Sequence, residues 1–263
     1  MHKQMKLAFL AAIIILILAS CVYVLLPSDS TYYEKVTNHT YEFISLIVVV
    51  TVLVTFRSLD FKTRDGKRWF FLLLGLSLWF LADITRTAFI YLGIDPSPSL
   101  ADIFYILGYL SVFVAVMIKY LNIKYRALSK DYMNGFFVTF CIIAVAGYYV
   151  LFPLAMSGHA LLDKLVMITD PLLDSLVILF AVIIISASKF DEKSLPWLGV
   201  CLGLALWAIA DTMTAYYSLR GIESMAVRLM DLFFIAGLLA MGLGAFYRLL
   251  VVKSETCALP KRK

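Results

Sequence analysis

The sequence predicts an all-α membrane protein of eight transmembrane helices, built as two parallel four-helix repeats with both termini in the cytoplasm. Three observations predict it. Apolar residues come in blocks of span length, basic residues favour alternate inter-block segments, and one ten-residue stretch occurs twice.

The chain is 62% hydrophobic and 16% charged, far more apolar than an average soluble domain. Its apolar blocks run over 7–26, 41–56, 69–92, 100–120, 133–154, 170–188, 197–218 and 229–251. About twenty apolar residues cross a hydrocarbon core of roughly 30 Å. The second block is the shortest. A soluble helical protein would show amphipathic stripes here rather than uniform runs. Pro96, Pro98, Pro153, Pro171 and Pro196 are expected to mark block ends.

The first block contains LASC (18–21), which follows a basic start and a short apolar run in the manner of a lipoprotein cleavage site. Cleavage would leave seven spans and a lipidated Cys21. The internal repeat speaks against it, because it makes the first block a structural helix. Cys141, Cys201 and Cys257 fall in other blocks or the tail, and the four cysteines show no metal spacing.

Orientation follows from lysine and arginine. With a cytoplasmic N-terminus, only Lys35, Lys164, Arg220 and Arg228 fall in outer segments, and Arg86 lies within a block. The other eighteen of the 23 basic residues are inner. This bias sets topology. It also explains the formal charge of +5 without nucleic-acid binding, since the basic residues are spread over five inner segments.

LGLSLWFLAD ends at Asp83 and LGLALWAIAD ends at Asp211, with seven of ten residues identical at an offset of 128. CVYVLLP (21–27) and GYYVLFP (147–153) close the first and fifth blocks. DIFYILGYL (102–110) and DLFFIAGLL (231–239) open the fourth and eighth. The three landmarks keep their order, which predicts duplicated units at 1–128 and 129–263. Four spans per unit place both halves in the same orientation, related by an axis along the membrane normal.

Gly75, Trp79 and Asp83 are spaced i, i+4, i+8 and share one helical stripe, which Gly203, Trp207 and Asp211 repeat. Glycine permits close helix approach, and the indole brings a donor that needs an acceptor. An ionised carboxylate facing lipid costs at least a few kcal/mol, so each aspartate is expected to face the bundle interior, a partner or water. Asp83 and Asp211 each lie fourteen residues beyond a tryptophan at the inner edge, Trp69 and Trp197, or roughly 21 Å along a helix.

That depth puts both acids in the outer part of the membrane. Asp102, Asp170, Asp174 and Asp231 lie near outer block ends, and no acid falls in the inner half of any span. The asymmetry predicts an acidic cavity opening outward. Asp83, Asp211, Asp102, Asp231 and Asp174 would line it, with Trp79, Tyr105, Tyr109, Trp207 and Tyr216 as walls. If Asp83 and Asp211 meet, they would share a proton. Purely structural roles stand beside this one: Asp83 pairing with Arg86, Asp211 bonding Thr214, and Asp102, Asp170 and Asp231 capping helix ends.

Absences narrow the field. His2, His39 and His159 all fall outside the blocks, so no intramembrane haem or zinc ligand set is expected. HExxH, GxSxG and Walker-type sequences are missing, which argues against zinc or serine hydrolysis and nucleotide-driven pumping. No cofactor is indicated.

WFLADITRTAFIYLG, followed by PSPSLADIFYILGYLSVFVAV, and later DPLLDSLVILFAVII, resemble the multi-pass sensory regions that precede diguanylate cyclase or histidine kinase domains in prokaryotic signalling proteins. The resemblance implies a membrane region that senses a ligand or membrane state, with Asp83, Asp102, Asp174, Asp211 and Asp231 in the sensing core. Because VVKSETCALPKRK (251–263) is too short for an output domain, a cytoplasmic signalling partner is expected. The chain also resembles the eight-span lysoplasmalogenase family, in which two membrane aspartates are implicated in vinyl-ether lipid hydrolysis. That likeness implies catalytic roles for Asp83 and Asp211, one activating water and the other protonating the leaving oxygen. It departs at Ala82, where the family has glycine, and in a missing helix-four histidine. Transport of a small solute or ion is a third reading.

Overall fold

Caps, prolines and glycines set where each helix begins and stops in the computed structural model of the chain, which describes residues 2–26, 32–94, 99–158, 161–188, 194–221 and 225–258. Among the described residues there are eight helices: α1 (His2–Leu25), α2 (Tyr33–Arg57), α3 (Arg64–Leu92), α4 (Leu100–Ile123), α5 (Ser129–Met156), α6 (Leu161–Ala187), α7 (Leu195–Arg220) and α8 (Met225–Ala258). Seven are long and apolar enough to span a membrane, and α6 contributes a shorter apolar segment, Pro171–Ala187. The protein is a multi-pass helical membrane protein.

Two helices shift the sequence-based boundaries. α2 starts at Tyr33, eight residues before the apolar block, because YEKVTNHT continues the helix with polar side chains. α6 starts at Leu161, so Pro171 lies inside a helix instead of at its end. Pro153 is also internal, three residues short of the end of α5. Proline lacks an N–H and crowds the carbonyl four residues earlier. Here the preceding GYYVL (147–151) widens into a π turn in which the Phe152 N–H reaches the Gly147 carbonyl.

Polar caps close other ends. Thr63 Oγ1 accepts from the Gly66 N–H at the start of α3, and α3 stops at Gly93, which takes the left-handed φ of 68°. Ser99 and Asp102 cap α4 reciprocally. Asp102 Oδ2 accepts from the Ser99 N–H at 2.6 Å, and Ser99 Oγ accepts from the Ala101 N–H.

The helices pack in corresponding ways in the two halves. α3 packs along α4 and α7 along α8. α2 packs on α3 as α6 does on α7, and α2 meets α8 as α6 meets α4. α1 and α5 depart from the pattern: α1 lies mainly against α8, whereas α5 lies against α6. The α3–α4 crossing is closed by Gly75 and Gly108, which face each other so tightly that a methyl on Gly108 would strike the Trp79 ring. Gly203, Gly237 and Trp207 repeat the arrangement between α7 and α8. Lipid tails are as apolar as leucine, so packing contact of this kind holds membrane helices together.

The core runs through these crossings. Trp69, Trp79, Trp197, Leu72, Leu76 and Leu238 are essentially inaccessible. Trp79 stacks on Trp207 with ring centroids 4.3 Å apart, and Trp69 meets Trp197 at 5.7 Å. Each indole of the repeated stripe therefore touches its counterpart.

Candidate functional site

Above the Trp79–Trp207 stack, at the end of the bundle where α1 and α3 finish and α2, α4 and α8 begin, the helices part around a cavity of about 320 Å³. One turn beyond each stacked indole the chain places an aspartate, so the stripe that builds the core also delivers Asp83 and Asp211 to the cavity. The indoles form its floor. Tyr109 meets Trp79 edge-on, and Phe234 meets Trp207 edge-on. Each indole N–H is satisfied by a backbone carbonyl of the facing helix, Trp79 by Tyr105 at 3.2 Å and Trp207 by Phe234 at 2.9 Å.

The two aspartates have different partners. Tyr105 donates to Asp83 Oδ1 at 2.6 Å. Asp83 Oδ2 is sealed from solvent and has no hydrogen-bond partner among the described residues. Tyr109 Oη lies 2.8 Å from Asp211 Oδ2 and 3.1 Å from Asp174 Oδ1, and the Asp174 carboxyl lies against that of Asp211. A phenol carries one proton, so it donates to one of these acids at a time. The carboxyl pair that shares a hydroxyl is thus Asp174 with Asp211. Asp83 and Asp211 line the same cavity, each held by its own tyrosine.

The remaining expected residues divide. Asp231, Arg86, Trp79, Trp207, Tyr105 and Tyr109 line the cavity. Arg86 is exposed and sits beside Asp83, Tyr105 and Asp231, and among the described residues no ion pair joins it to Asp83. Asp174 is buried behind Tyr109, outside the lining. Asp102 is engaged as the cap of α4, and Tyr216 packs on Tyr149. Thr214 lines the cavity, and no hydrogen bond joins it to Asp211 among the described residues. The Asp170 side chain lies outside the described residues.

Sequence reasoning missed the wall supplied by α2 and α1. Glu34, Thr37, Asn38, Tyr41 and Glu42 face the cavity from α2, and Tyr23 from α1. The signal was present: positions 34, 37, 38, 41 and 42 follow the i, i+3, i+4, i+7, i+8 pattern of one helix face. It was masked because most of that face is polar and precedes the apolar block, with only Tyr41 and Glu42 inside it. Glu42 Oε2 pairs with His39 Nδ1 at 2.9 Å, while Glu42 Oε1 is sealed and has no partner among the described residues. His39 Nε2 in turn meets the Tyr91 hydroxyl at 2.8 Å, tying α2 to α3.

Chemically, the site carries more acidic groups than basic ones. Glu34, Glu42, Asp83, Asp211 and Asp231 surround the space, and among the described residues Arg86 is the one basic residue of the lining. Among the described residues, no three His, Cys, Asp or Glu side chains converge in a way that would hold a metal ion. Comparison of the chain with protein-family models, curated proteins and solved structures finds no match.

Proposed function

We propose that the protein is a sensory or ligand-binding module of the cell membrane, with both termini cytoplasmic and the acidic cavity opening on the outer face. One observation carries this reading. Buried, unpartnered carboxylate oxygens on Asp83 and Glu42 border an open cavity about 320 Å³ in volume. A buried charge left without a partner is costly, and a bound ligand would relieve it. The volume is at the small end of the range for ligand pockets.

The orientation rests on the basic-residue bias. The proposed duplication of a four-helix unit, 1–128 and 129–263, is supported by the matched contacts of Gly75, Trp79 and Gly108 with Gly203, Trp207 and Gly237. Signal output would follow the same two helices. α3 and α7 carry Asp83 and Asp211 at one end and the Trp69–Trp197 contact at the other. There Asp65 binds both Arg68 and Arg248, and Arg68 lies over the Trp197 ring. A ligand that draws Asp83 and Asp211 together would shift this cluster, where a cytoplasmic partner would read it.

A hydrolase is the second reading, favoured by the Asp174–Tyr109–Asp211 cluster. Two carboxyls sharing a phenol are suited to hold one proton between them, as general acid–base catalysis on an ether lipid requires. Transport is the third.

Purified protein in lipid nanodiscs separates them. For a binding module, Asp83→Asn and Asp211→Asn abolish thermal stabilisation by ligand while the apo protein stays folded. Aspartate-dependent release of aldehyde from vinyl-ether lipid would instead establish the hydrolase. Aspartate-dependent uptake into sealed liposomes would establish a transporter.

A further inference from the structure

Resting on the binding-module reading, we propose that the cavity takes a protonated primary amine, its ammonium group held by Asp83 and Glu42 and its carbon skeleton laid on the Trp79–Trp207 floor.

Charge is the first reason. Among the described residues five carboxylates line the space against one guanidinium, and Arg86 is exposed. An anion would meet repulsion from most of the wall, and a neutral ligand would leave the acids uncompensated. A bare metal ion is the wrong shape for the site. The carboxylates ring the cavity, and among the described residues none of them cluster into a coordinating set. Hard cations need several oxygens within about 2.6 Å.

Hydrogen bonding is the second reason. Tyr105 already donates to Asp83 Oδ1, so the acceptor left open on that carboxylate is Oδ2. His39 occupies Glu42 Oε2, and Oε1 is left open. Each acid therefore keeps one acceptor that no described group of the protein satisfies. An ammonium brings three N–H donors and no acceptor, whereas a quaternary ammonium brings none. The vacant acceptors select the primary amine.

The floor is the third. Below the acids the residues that line the cavity are aromatic, Trp79, Trp207, Tyr109 and Phe234. A short aryl or alkyl chain would bury itself there while its charged end stays at the carboxylates. A cavity of about 320 Å³ limits that chain to a small organic molecule.

Three probes of one shape test the inference: phenethylamine, phenethyl alcohol and phenylacetate, each titrated calorimetrically into the full chain in nanodiscs. The expected result is saturable binding of the amine alone. Asp83→Asn and Glu42→Gln should each weaken it at least tenfold, with the helical circular dichroism of the unliganded protein retained. Should Asp83→Asn fail to fold, Glu42→Gln carries the test, because its Oε1 supports no contact within the protein. Equal binding of the alcohol, tighter binding of phenylacetate, or amine binding untouched by either folded variant would overturn the amine and leave a ligand-binding cavity standing. Binding of none of the three would overturn both readings.

Discussion

The indoles of Trp79 and Trp207 stack across the bundle with centroids 4.3 Å apart and planes inclined by 28°, although 128 positions separate them in sequence. They sit where the α3–α4 and α7–α8 pairs meet, and they form the floor on which Asp83 and Asp211 stand. Disturbing the stack therefore disturbs both core and cavity.

Trp79→Ala and Trp207→Ala should each destabilise the protein by about 3–5 kcal/mol, the usual loss for a buried aromatic. In a double-mutant cycle the pair should couple by about 1 kcal/mol, the value of a ring contact beyond its area. Reversible unfolding in mixed micelles measures both. Additive losses would mean that the rings do not touch in solution.

Gly108→Ala and Gly237→Ala should each cost about 1–3 kcal/mol, because the added methyl overpacks a helix crossing. At both positions it would collide with an indole. Gly147→Ala is the control, since nothing lies within 4 Å of a side chain there. Melting curves in detergent should separate the two classes.

Tyr109→Phe should be more disruptive than Tyr105→Phe. Tyr109 serves two acids, Asp174 and Asp211, whereas Tyr105 serves Asp83. A hydrogen bond to a charged group contributes about 1.5–3 kcal/mol, and Tyr109→Phe adds to that loss the repulsion between the two acids that its hydroxyl bridges. A smaller loss for Tyr109→Phe in the same unfolding assay would contradict the shared hydroxyl.

Asp65→Asn should weaken the seam between α3 and α8. Asp65 holds Arg68 at 2.7 Å and Arg248 at 2.8 Å, all three groups being mostly shielded. Removing the acid leaves two guanidinium groups facing one another, and a loss of about 3 kcal/mol is expected. The measurement is the melting temperature against that of Glu255→Gln, whose ion pair is longer and more exposed.

The proposed topology predicts opposite labelling of two exposed turns. In a cysteine-free background, Tyr125→Cys between α4 and α5 should react with membrane-impermeant maleimide only after cells are opened. Ile94→Cys, beyond α3, should react in intact cells. Both side chains are exposed. The reverse pattern would invert the cavity.

Much of the cavity could be read from local spacing. Asp83, Asp211, Trp79 and Trp207 share stripes fixed by the 3.6-residue period, and intramembrane acids must face inward. Asp102 and Asp231 show where spacing fails. They open matching sequences, yet Asp102 sits in the first turn of α4 and caps it, while Asp231 lies deeper in α8, which begins at Met225. Only a helix start displaced by several residues separates capping from cavity lining. Proline misled in the same way. Pro171 and Pro153 read as breaks, but α6 continues past the first and α5 meets the second with a π turn.

By itself, the sequence determined the number of helices, their apolar character and the stripe that joins a glycine, an indole and an acid, because each follows from composition and helical period. Which groups meet was decided in three dimensions. Asp211 pairs with Asp174 through Tyr109, and Glu42 and Tyr41 close the wall of the cavity. Such encounters depend on how α2, α4 and α6 lie against α3 and α7, and a helix's own periodicity carries no information about the rotation of its neighbours.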